Sequence, residues 1–328
     1  MEISTSILDL IGNTPMVKLK KITERINASV LVKLEYLNPS GSLKDRIALR
    51  MIEGAEESGK LKPGYTIIDA STGNTGIALS FIGTMRGYKV VIYMPGGMTL
   101  SQERAKIMED YGAEVVFVSP EEEKIIMQEL MKKDRSISGA EIEVPLRQKC
   151  LDIERNSPNT YWIRQFSNLD NVKAHHDTGK EMLLQTDNKV DAFVASVGTG
   201  GTLLGVAEIL KEENPNVKII AVEPAGSEYP LILGYRRIPG ADPEISGGLI
   251  EKILDKGIVD EVVQVTDQEA IDMSRRLIKE EGLFAGVSSG ANVLVAIREA
   301  QKIGTDKNVV TVLPDSRDRY FTSEHYNT

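Results

Sequence analysis

One lysine stands where a predicted strand gives way to a predicted helix. The segment N-P-S-G-S-L-K-D-R runs from Asn38 to Arg46, and Lys44 falls in the first turn of the helix that it opens. The positive end of the helix dipole disfavours a protonated amine. An amine of lowered pKa is a nucleophile for an aldehyde. The alternative is a solvated Lys44 with Asp45 compensating the dipole, and the physics of the segment alone favours that alternative.

Three glycine-rich turns lie between a predicted strand and a predicted helix. They are S-T-G-N-T-G over 71–76, V-G-T-G-G-T over 197–202 and G-V-S-S-G over 286–290. Backbone amides at such turns can hold an anion. The second turn misses the dinucleotide pattern G-x-G-x-x-G, because position 203 is Leu203. Residues 198–202 could form a compact cup for one phosphate monoester or a plain turn, and the sequence leaves both open.

Alternating strands and helices are needed to position these turns. Short β-branched runs predict strands at Val30–Leu34, Thr66–Asp69, Lys89–Met94, Glu114–Val118, Ala192–Ser196, Lys218–Glu223, Glu261–Val265 and Val309–Leu313. Helical periods predict helices at Arg46–Ser58, Thr75–Arg86, Leu100–Asp110, Thr202–Glu213, Gln268–Glu281 and Gly290–Gln301. Several strands are apolar without alternation, which is typical of strands covered on both faces. We therefore expect an α/β fold with open parallel sheets.

Composition limits what else the chain could do. Its 328 residues predict two domains. A formal net charge of −9 argues against nucleic acid or an anionic membrane as partner. The one cysteine, Cys150, excludes an internal disulfide and is typical of a reducing compartment, so a cytoplasmic protein is expected. The apolar runs are too short to span a bilayer, and three histidines with one cysteine argue against a zinc site.

Four segments together resemble one enzyme family. K-L-E-Y-L-N-P-S-G-S-L-K-D-R, S-T-G-N-T-G-I-A, V-G-T-G-G-T and E-E-G-L-F-A-G-V-S-S-G-A are similar to motifs of the pyridoxal-phosphate (PLP) β-family, above all cysteine synthases (O-acetylserine sulfhydrylases) and the catalytic core of cystathionine β-synthases. The resemblance implies fold-type II, the tryptophan synthase β-subunit-like fold, with PLP in the cleft between two open-sheet α/β domains. The smaller domain would span 36–166 and the larger 1–35 plus 167–328.

The resemblance also implies a role for each matching residue. Lys44 would hold the cofactor aldehyde as a Schiff base and act as the catalytic base. The other cofactor-binding residues would be Asn74, Gly198, Thr199, Gly200, Gly201, Thr202 and Ser288. The substrate α-carboxylate would be bound by Ser71, Thr72, Asn74, Thr75 and Gln165. A hydroxyl at Ser288 would leave the pyridine nitrogen largely neutral, which favours loss of a β-substituent over transamination or racemisation.

The implied reaction is β-replacement through an aminoacrylate intermediate. The leading hypothesis is synthesis of cysteine from O-acetylserine and sulfide. The alternatives are cystathionine or lanthionine synthesis, cysteine breakdown to sulfide, and a diaminopropionate-pathway synthase. The expected partners are a small amino-acid substrate and a small nucleophile, without nucleic acid, membrane or metal, in a homodimer. A catalytically silent relative is disfavoured because Lys44, Asn74 and Ser288 are all present, and a nicotinamide enzyme because of Leu203.

Some segments depart from the pattern of cysteine synthases. The Ala241–Leu249 segment replaces the usual loop over the active site, and its polar side chains at 242, 244 and 246 could face the second-substrate pocket or solvent. The Glu121–Glu143 stretch is an insertion, predicted as a solvated helix plus loop. His175 and His176 are expected on a helix surface. P-D-S-R-D-R-Y near the end replaces a frequent D-S-G-E-R-Y, and its Asp315 is expected close to Ser288 but is assigned no proton relay.

Overall fold

The computed structural model of the protein describes residues 3–96, 102–133, 144–226, 232–233, 245 and 247–321. Its strands are β1 Met16–Lys18, β2 Ser29–Lys33, β3 Thr66–Ala70, β4 Lys89–Pro95, β5 Glu114–Val118, β6 Thr160–Trp162, β7 Ala192–Ser196, β8 Lys218–Pro224, β9 Glu261–Val265 and β10 Asn308–Val312. Its α-helices are α1 Lys44–Glu57, α2 Asn74–Met85, α3 Gln102–Asp110, α4 Pro120–Lys133, α5 Val144–Asn156, α6 Leu169–Gln185, α7 Gly201–Glu213, α8 Gly248–Lys256, α9 Asp267–Arg276 and α10 Val287–Ile303.

The larger sheet has six strands in the order β1-β2-β10-β7-β8-β9. All neighbouring strands in it run parallel except the edge pair β1 and β2. The central strands β7 and β8 are buried on both faces, which explains their runs of consecutive apolar residues. Helices α9 and α10 cover one face, and α6, α7 and α8 cover the other. Because the strands from β2 to β9 in this order run parallel, the loops that follow their carboxyl ends all lie at the same edge of the sheet.

The smaller sheet has four parallel strands in the order β5-β4-β3-β6. Its core on one face comes from apolar residues of α1, α2 and α3. On the other face α5, which carries Cys150, packs against Trp162 of β6 in a second apolar cluster. All of its strands lie between Thr66 and Trp162 in the sequence, whereas the strands of the larger sheet flank that stretch.

A buried ion cluster ties α1 to the larger sheet. The guanidinium of Arg46 on α1 binds Glu35 (Nε to Oε2, 2.7 Å) and Glu181 of α6 (Nη1 to Oε1, 2.7 Å). Lys33 of β2 is fully buried, and its Nζ lies 2.8 Å from Glu181 Oε2. Burial opposes the ionised carboxylate, yet the bonds from Arg46 and Lys33 lower the pKa of Glu181 to about 2. The start of α1 is thereby fixed relative to β2 and α6.

The predicted strands and helices are all present, with ends shifted by a few residues. The sequence reading missed β1 and β6, which are only three residues long. It also missed α5 and α8, and it expected a helix at His175 and His176 without predicting the bounds of α6. The last turn of the helix expected to end at Glu281 is a π-helical turn, Leu277–Glu281. The first part of the Glu121–Glu143 stretch is α4, as expected, and 134–143 lies outside the described residues. Among the described helices none is long and apolar enough to cross a membrane.

Candidate active site

A cavity of about 400 Å³ opens at the carboxyl ends of β7, β8 and β10. This edge of an open parallel sheet is where α/β proteins generally bind ligands. The helices α1, α2, α7 and α10 begin beside it. Of the residues predicted for a site, those that line the cavity are Lys44, Asn74, Gly198, Thr199, Gly200, Thr202 and Ser288. The structure thus gathers most of the predicted cofactor residues around one space.

Lys44 is the first residue of α1, and its half-buried side chain faces the cavity. Burial by the surrounding protein lowers its pKa to about 8, and the negative charge of Asp315 opposes that shift only in part. The neighbouring Asp45 is buried rather than solvated, and its Oδ2 accepts the amide hydrogen of Ser40 at 2.7 Å. The solvated alternative considered for this segment is therefore wrong. A neutral Lys44 amine, the form that attacks an aldehyde, is accessible close to neutral pH.

The glycine turn after β7 forms one wall of the cavity. Gly200 caps α7 with φ of +89°, a left-handed conformation that favours glycine. A Cβ at Gly198 would meet no atom within 4 Å, so this part of the turn borders open space. Gly201 lies behind the wall, where an added Cβ would stand 1.9 Å from Asn171 Oδ1. Amides at the start of α7, with the hydroxyls of Thr199 and Thr202, make this wall suitable for an anion.

Asn74 has its side-chain amide fixed in one orientation. Its Nδ2 donates to Asp315 Oδ2 at 2.6 Å, and its Oδ1 accepts from Arg319 Nη1 at 2.7 Å. Tyr320 also donates to Asp315, whose pKa is raised by burial despite these bonds. The side-chain oxygen of Asn74 already accepts from Arg319, so the second hydrogen on Nδ2 is the part of this amide that can bind a ligand. The contacts of Asp315 and Arg319 with Asn74 were not predicted from the sequence, because no local pattern indicates a contact between segments so far apart.

The loop before α2 is stabilised from within. Ser71 Oγ accepts the backbone amides of Gly73 (3.3 Å) and Gly76 (3.0 Å). Thr75 Oγ1 donates to Gln165 Oε1 at 2.7 Å. Gln165 Nε2 in turn lies 3.2 Å from both Asp69 Oδ2 and the carbonyl oxygen of Ala70.

The residues predicted to bind a substrate carboxylate therefore fall into two groups. Asn74 lines the cavity. Ser71, Thr75 and Gln165 are buried in the loop network, and Thr72 is half-buried with its carbonyl oxygen accepting from Arg104 Nη1 at 3.1 Å. The structure does not bring these four side chains to the cavity wall, and in the conformation seen they support the loop.

Ser288 lies half-buried in the first turn of α10, at the end of the cavity near Asp315. The preceding Gly286 leaves room for that carboxylate, because an added Cβ would stand 2.2 Å from Asp315 Oδ1. The helix start and the Asp315 loop are therefore packed against each other without space for a side chain at 286.

The expectation that both histidines lie on a helix surface is wrong for His175. This side chain is only 1% exposed, and its Nε2 lies 3.0 Å from Thr202 Oγ1 in the glycine turn. His176 is half-buried and pairs with Glu208 at 2.7 Å. Helix α6 is packed against both α1 and α7, so two of its faces are covered, a fact that its polar sequence does not signal.

The interpretation of Ala241–Leu249 as a second-substrate loop falls largely outside the described residues, which omit 241–244 and 246. Ile245 is buried, and its carbonyl oxygen accepts from Arg147 Nη1 at 3.2 Å. The described part of the chain contains no group of three or more His, Cys, Asp or Glu residues arranged to hold a metal ion.

Comparisons with known proteins agree on one class of enzyme. The model of a family described as pyridoxal-phosphate dependent enzyme matches residues 7–315. A cysteine synthase of Staphylococcus aureus is 42% identical over 324 residues, which cover 98% of this chain and 97% of that protein.

Solved structures show the same similarity over the whole chain. A cysteine synthase from Entamoeba histolytica has a TM-score of 0.84 at 37% identity, covering 100% of this chain and 92% of that one. A hydrogen sulfide-producing enzyme from Fusobacterium nucleatum has a TM-score of 0.81 at 35% identity, covering 98% and 99%. An O-ureido-L-serine synthase has a TM-score of 0.79 at 33% identity, covering 99% and 96%.

Proposed function

Because this chain belongs to the family of pyridoxal-phosphate-dependent enzymes, we propose that it is a cysteine synthase. It would join sulfide to the β-carbon of O-acetyl-L-serine and release acetate. The observation that carries the proposal is the setting of Lys44, an amine of pKa about 8 that faces the cavity shared with the glycine turn and Asn74.

The cavity fits pyridoxal phosphate in three respects. The open space at Gly198 and the helix start at Gly201 suit a phosphate. The free N–H of Asn74 suits the ring's 3′-oxygen, and the Ser288 hydroxyl suits the pyridine nitrogen. When bound, the cofactor supplies the electron-withdrawing ring that makes the Cα–H of an amino acid acidic and lets its β-substituent leave.

Lys44 would both attach the cofactor covalently and transfer the proton. Its Nζ would hold the cofactor aldehyde until the amino group of the substrate displaces it. The freed amine would then accept the Cα proton at Nζ and return it once the nucleophile has added. A pKa of about 8 suits both directions of transfer, because the neutral and protonated forms are then close in free energy near neutral pH.

The remaining predicted residues would bind and orient. Residues 198–202 would hold the phosphate, with Thr199 and Thr202 contributing hydroxyls. The backbone amides of the first turn of α2, beginning with that of Asn74, would meet the α-carboxylate. Ser71, Thr72, Thr75 and Gln165 would come to that carboxylate when the loop closes over it, and closure would exclude water.

Two structural relatives favour a second candidate. One is a hydrogen sulfide-producing enzyme and another an O-ureido-L-serine synthase, and both match nearly the whole chain. The same residues would serve cysteine breakdown to sulfide or addition of another nucleophile to the same β-carbon. We keep these reactions, with cystathionine, lanthionine and diaminopropionate-pathway synthesis, as the alternatives that the substrate test must separate.

We also propose the larger organisation that the resemblance implies. Residues 36–166 would form the smaller domain around the four-stranded sheet, and 1–35 with 167–328 the larger domain around the six-stranded sheet. The enzyme would be a cytoplasmic homodimer, and sedimentation equilibrium at several concentrations tests the dimer.

The test is a titration of the cofactor-loaded protein with O-acetylserine, O-phosphoserine, serine and cysteine in separate cuvettes. The visible spectrum reports which compound reacts, and mass spectrometry identifies the products formed with sulfide, cysteine, homocysteine or glutamate. We expect O-acetylserine and sulfide to give cysteine. Lys44→Ala should abolish the reaction, and Lys62→Ala, which changes an exposed lysine beyond the end of α1, should not. A protein that binds no cofactor, or on which Lys44→Ala has no effect, would overturn the proposal.

A further inference from the structure

The hydroxyl of Thr202 connects the cavity to a buried histidine. Thr202 stands in the first turn of α7 and lines the cavity. Behind it, His175 Nε2 lies 3.0 Å from Thr202 Oγ1, and the other ring nitrogen, Nδ1, lies 3.2 Å from Thr178 Oγ1. His175 is 1% exposed and Thr178 is fully buried. Three side chains therefore form a continuous hydrogen-bonded row from the interior to the cavity.

The direction of the hydrogen bonds in this row determines whether the Thr202 hydroxyl can donate to an anion in the cavity. A threonine hydroxyl has one hydrogen, and a neutral imidazole has one N–H and one acceptor nitrogen. If His175 carried its hydrogen on Nδ1, Nε2 would accept from Thr202 and leave only lone pairs toward the cavity. If the hydrogen is on Nε2, Thr202 is free to donate into the cavity, and Thr178 donates to Nδ1. Only the second arrangement suits a phosphate.

We propose that His175 is a positioning residue whose Nε2–H donates to Thr202 and so directs the Thr202 hydroxyl hydrogen to the phosphate of the bound cofactor. This inference rests on the proposed function for the identity of the anion. In this arrangement the Thr178 hydroxyl, 3.2 Å from Nδ1, would donate to that nitrogen and so stabilise the same tautomer.

The packing of α6 against α7 makes the row rigid. An added Cβ at Gly205 of α7 would stand 2.3 Å from the carbonyl oxygen of Val172 and 2.8 Å from the Cβ of His175. The two helices therefore touch backbone to backbone one turn below Thr202, which leaves the imidazole little freedom to turn away. Rigid placement is what a donor needs if it is to be ready before its ligand arrives.

The surroundings also keep His175 neutral. Burial, followed by the positive charges of Lys44 and Arg46, lowers the pKa of His175 well below its usual value. A neutral imidazole carries one N–H hydrogen, on either Nδ1 or Nε2. The tautomer therefore sets the direction of both hydrogen bonds in the row, and the row adds no positive charge.

The first test reads the tautomer directly. The chain has three histidines, so protein labelled with ¹⁵N-histidine gives few ring signals, and His175→Gln assigns those of His175. We expect a protonated Nε2 and an unprotonated Nδ1 both with pyridoxal phosphate and with inorganic phosphate alone. The reverse assignment in both samples would overturn the proposal. The sample with inorganic phosphate gives an answer even if the proposed cofactor is wrong.

The second test separates the phosphate from the rest of the cofactor. In His175→Gln the amide nitrogen can replace Nε2–H, and in His175→Leu no donor remains. Relative to His175→Gln, we expect His175→Leu to bind pyridoxal phosphate about tenfold to hundredfold more weakly, the range of a hydrogen bond to a charged group. Binding of pyridoxal, which has no phosphate, should not change. His176→Gln is the matched control on the same helix.

Each outcome of the second test either supports or overturns the proposed role of His175. An equal loss of pyridoxal and pyridoxal phosphate affinity in His175→Leu would show a purely structural role and overturn the proposal. If His175→Leu does not fold, Thr178→Val replaces it, with Thr178→Ser as its control, and the same selective loss is expected. If the unmodified protein binds neither compound, the proposed function fails, and the tautomer with inorganic phosphate still reports on His175.

Discussion

The lowered pKa of Lys44 predicts an unusual reactivity that can be measured without substrate. At pH 7 a lysine with a pKa of about 8 has a neutral fraction about 300 times larger than a lysine with the ordinary pKa of 10.5. Burial produces this shift, and Asp315 partly offsets it. The cofactor-free protein should therefore acylate at Lys44 with a midpoint near pH 8, because only the neutral amine reacts.

Competitive labelling with a trace of acetic anhydride, followed by peptide mass spectrometry, measures this midpoint against exposed Lys62 as an internal reference. Asp315→Asn should move the midpoint lower, since the carboxylate that favours the ammonium form is gone. The reasoning is refuted if Lys44 titrates near 10.5, or if Asp315→Asn raises the midpoint.

Three further predictions concern stability. Arg46→Met leaves Glu35 buried without its ion-pair partner and Glu181 with Lys33 alone, so the free energy of unfolding in urea should fall by about 3–5 kcal/mol. The pKa of Glu181 is about 2 in the folded chain against an ordinary 4.5, so its stabilisation is present above pH 4.5 and is lost as the pH falls toward 2, and Glu181→Gln should flatten that part of the pH–stability curve. Gly286→Ala places a Cβ 2.2 Å from Asp315 Oδ1 and should lower the melting temperature through a cost of about 1–3 kcal/mol.

Matched variants control for these predictions. Arg50→Met removes an exposed pair with Glu57 at 3.0 Å and should cost less than about 1 kcal/mol. Gly198→Ala adds a Cβ that meets no atom within 4 Å and should leave the melting temperature of the cofactor-free protein unchanged. Equal losses in Arg46→Met and Arg50→Met, or in the two glycine variants, would contradict the packing arguments.

The sequence predicted the elements whose signals are local. The central strands are buried on both faces and read as unbroken apolar runs, and the position of Lys44 at the start of α1 follows from the strand before it and the helical period after it. The strands β1 and β6 are too short to carry a pattern. The bounds and burial of α6 were not predicted because its charged and polar residues suggest an exposed segment, whereas α1 and α7 cover it.

The parts of the site that could not be predicted depend on contacts between distant segments. Thr75 and Gln165 are 90 positions apart, and their hydrogen bond directs both side chains into the loop rather than the cavity. Asn74 and Arg319 are 245 positions apart. His175 was placed on a surface because a helical period alone does not show that a neighbouring helix approaches through a glycine. Residue types indicate which chemistry is possible, but the hydrogen-bond partners of each polar group determine which of its hydrogens remain available to a ligand.

Reduction of the cofactor-loaded protein with borohydride, followed by peptide mapping, tests the central claim most directly. The reduction fixes the cofactor to whichever lysine holds it. The account predicts a pyridoxyl phosphate group on the peptide that contains Lys44 and on no other. Attachment at a different lysine, or loaded protein that yields no modified peptide, would contradict it.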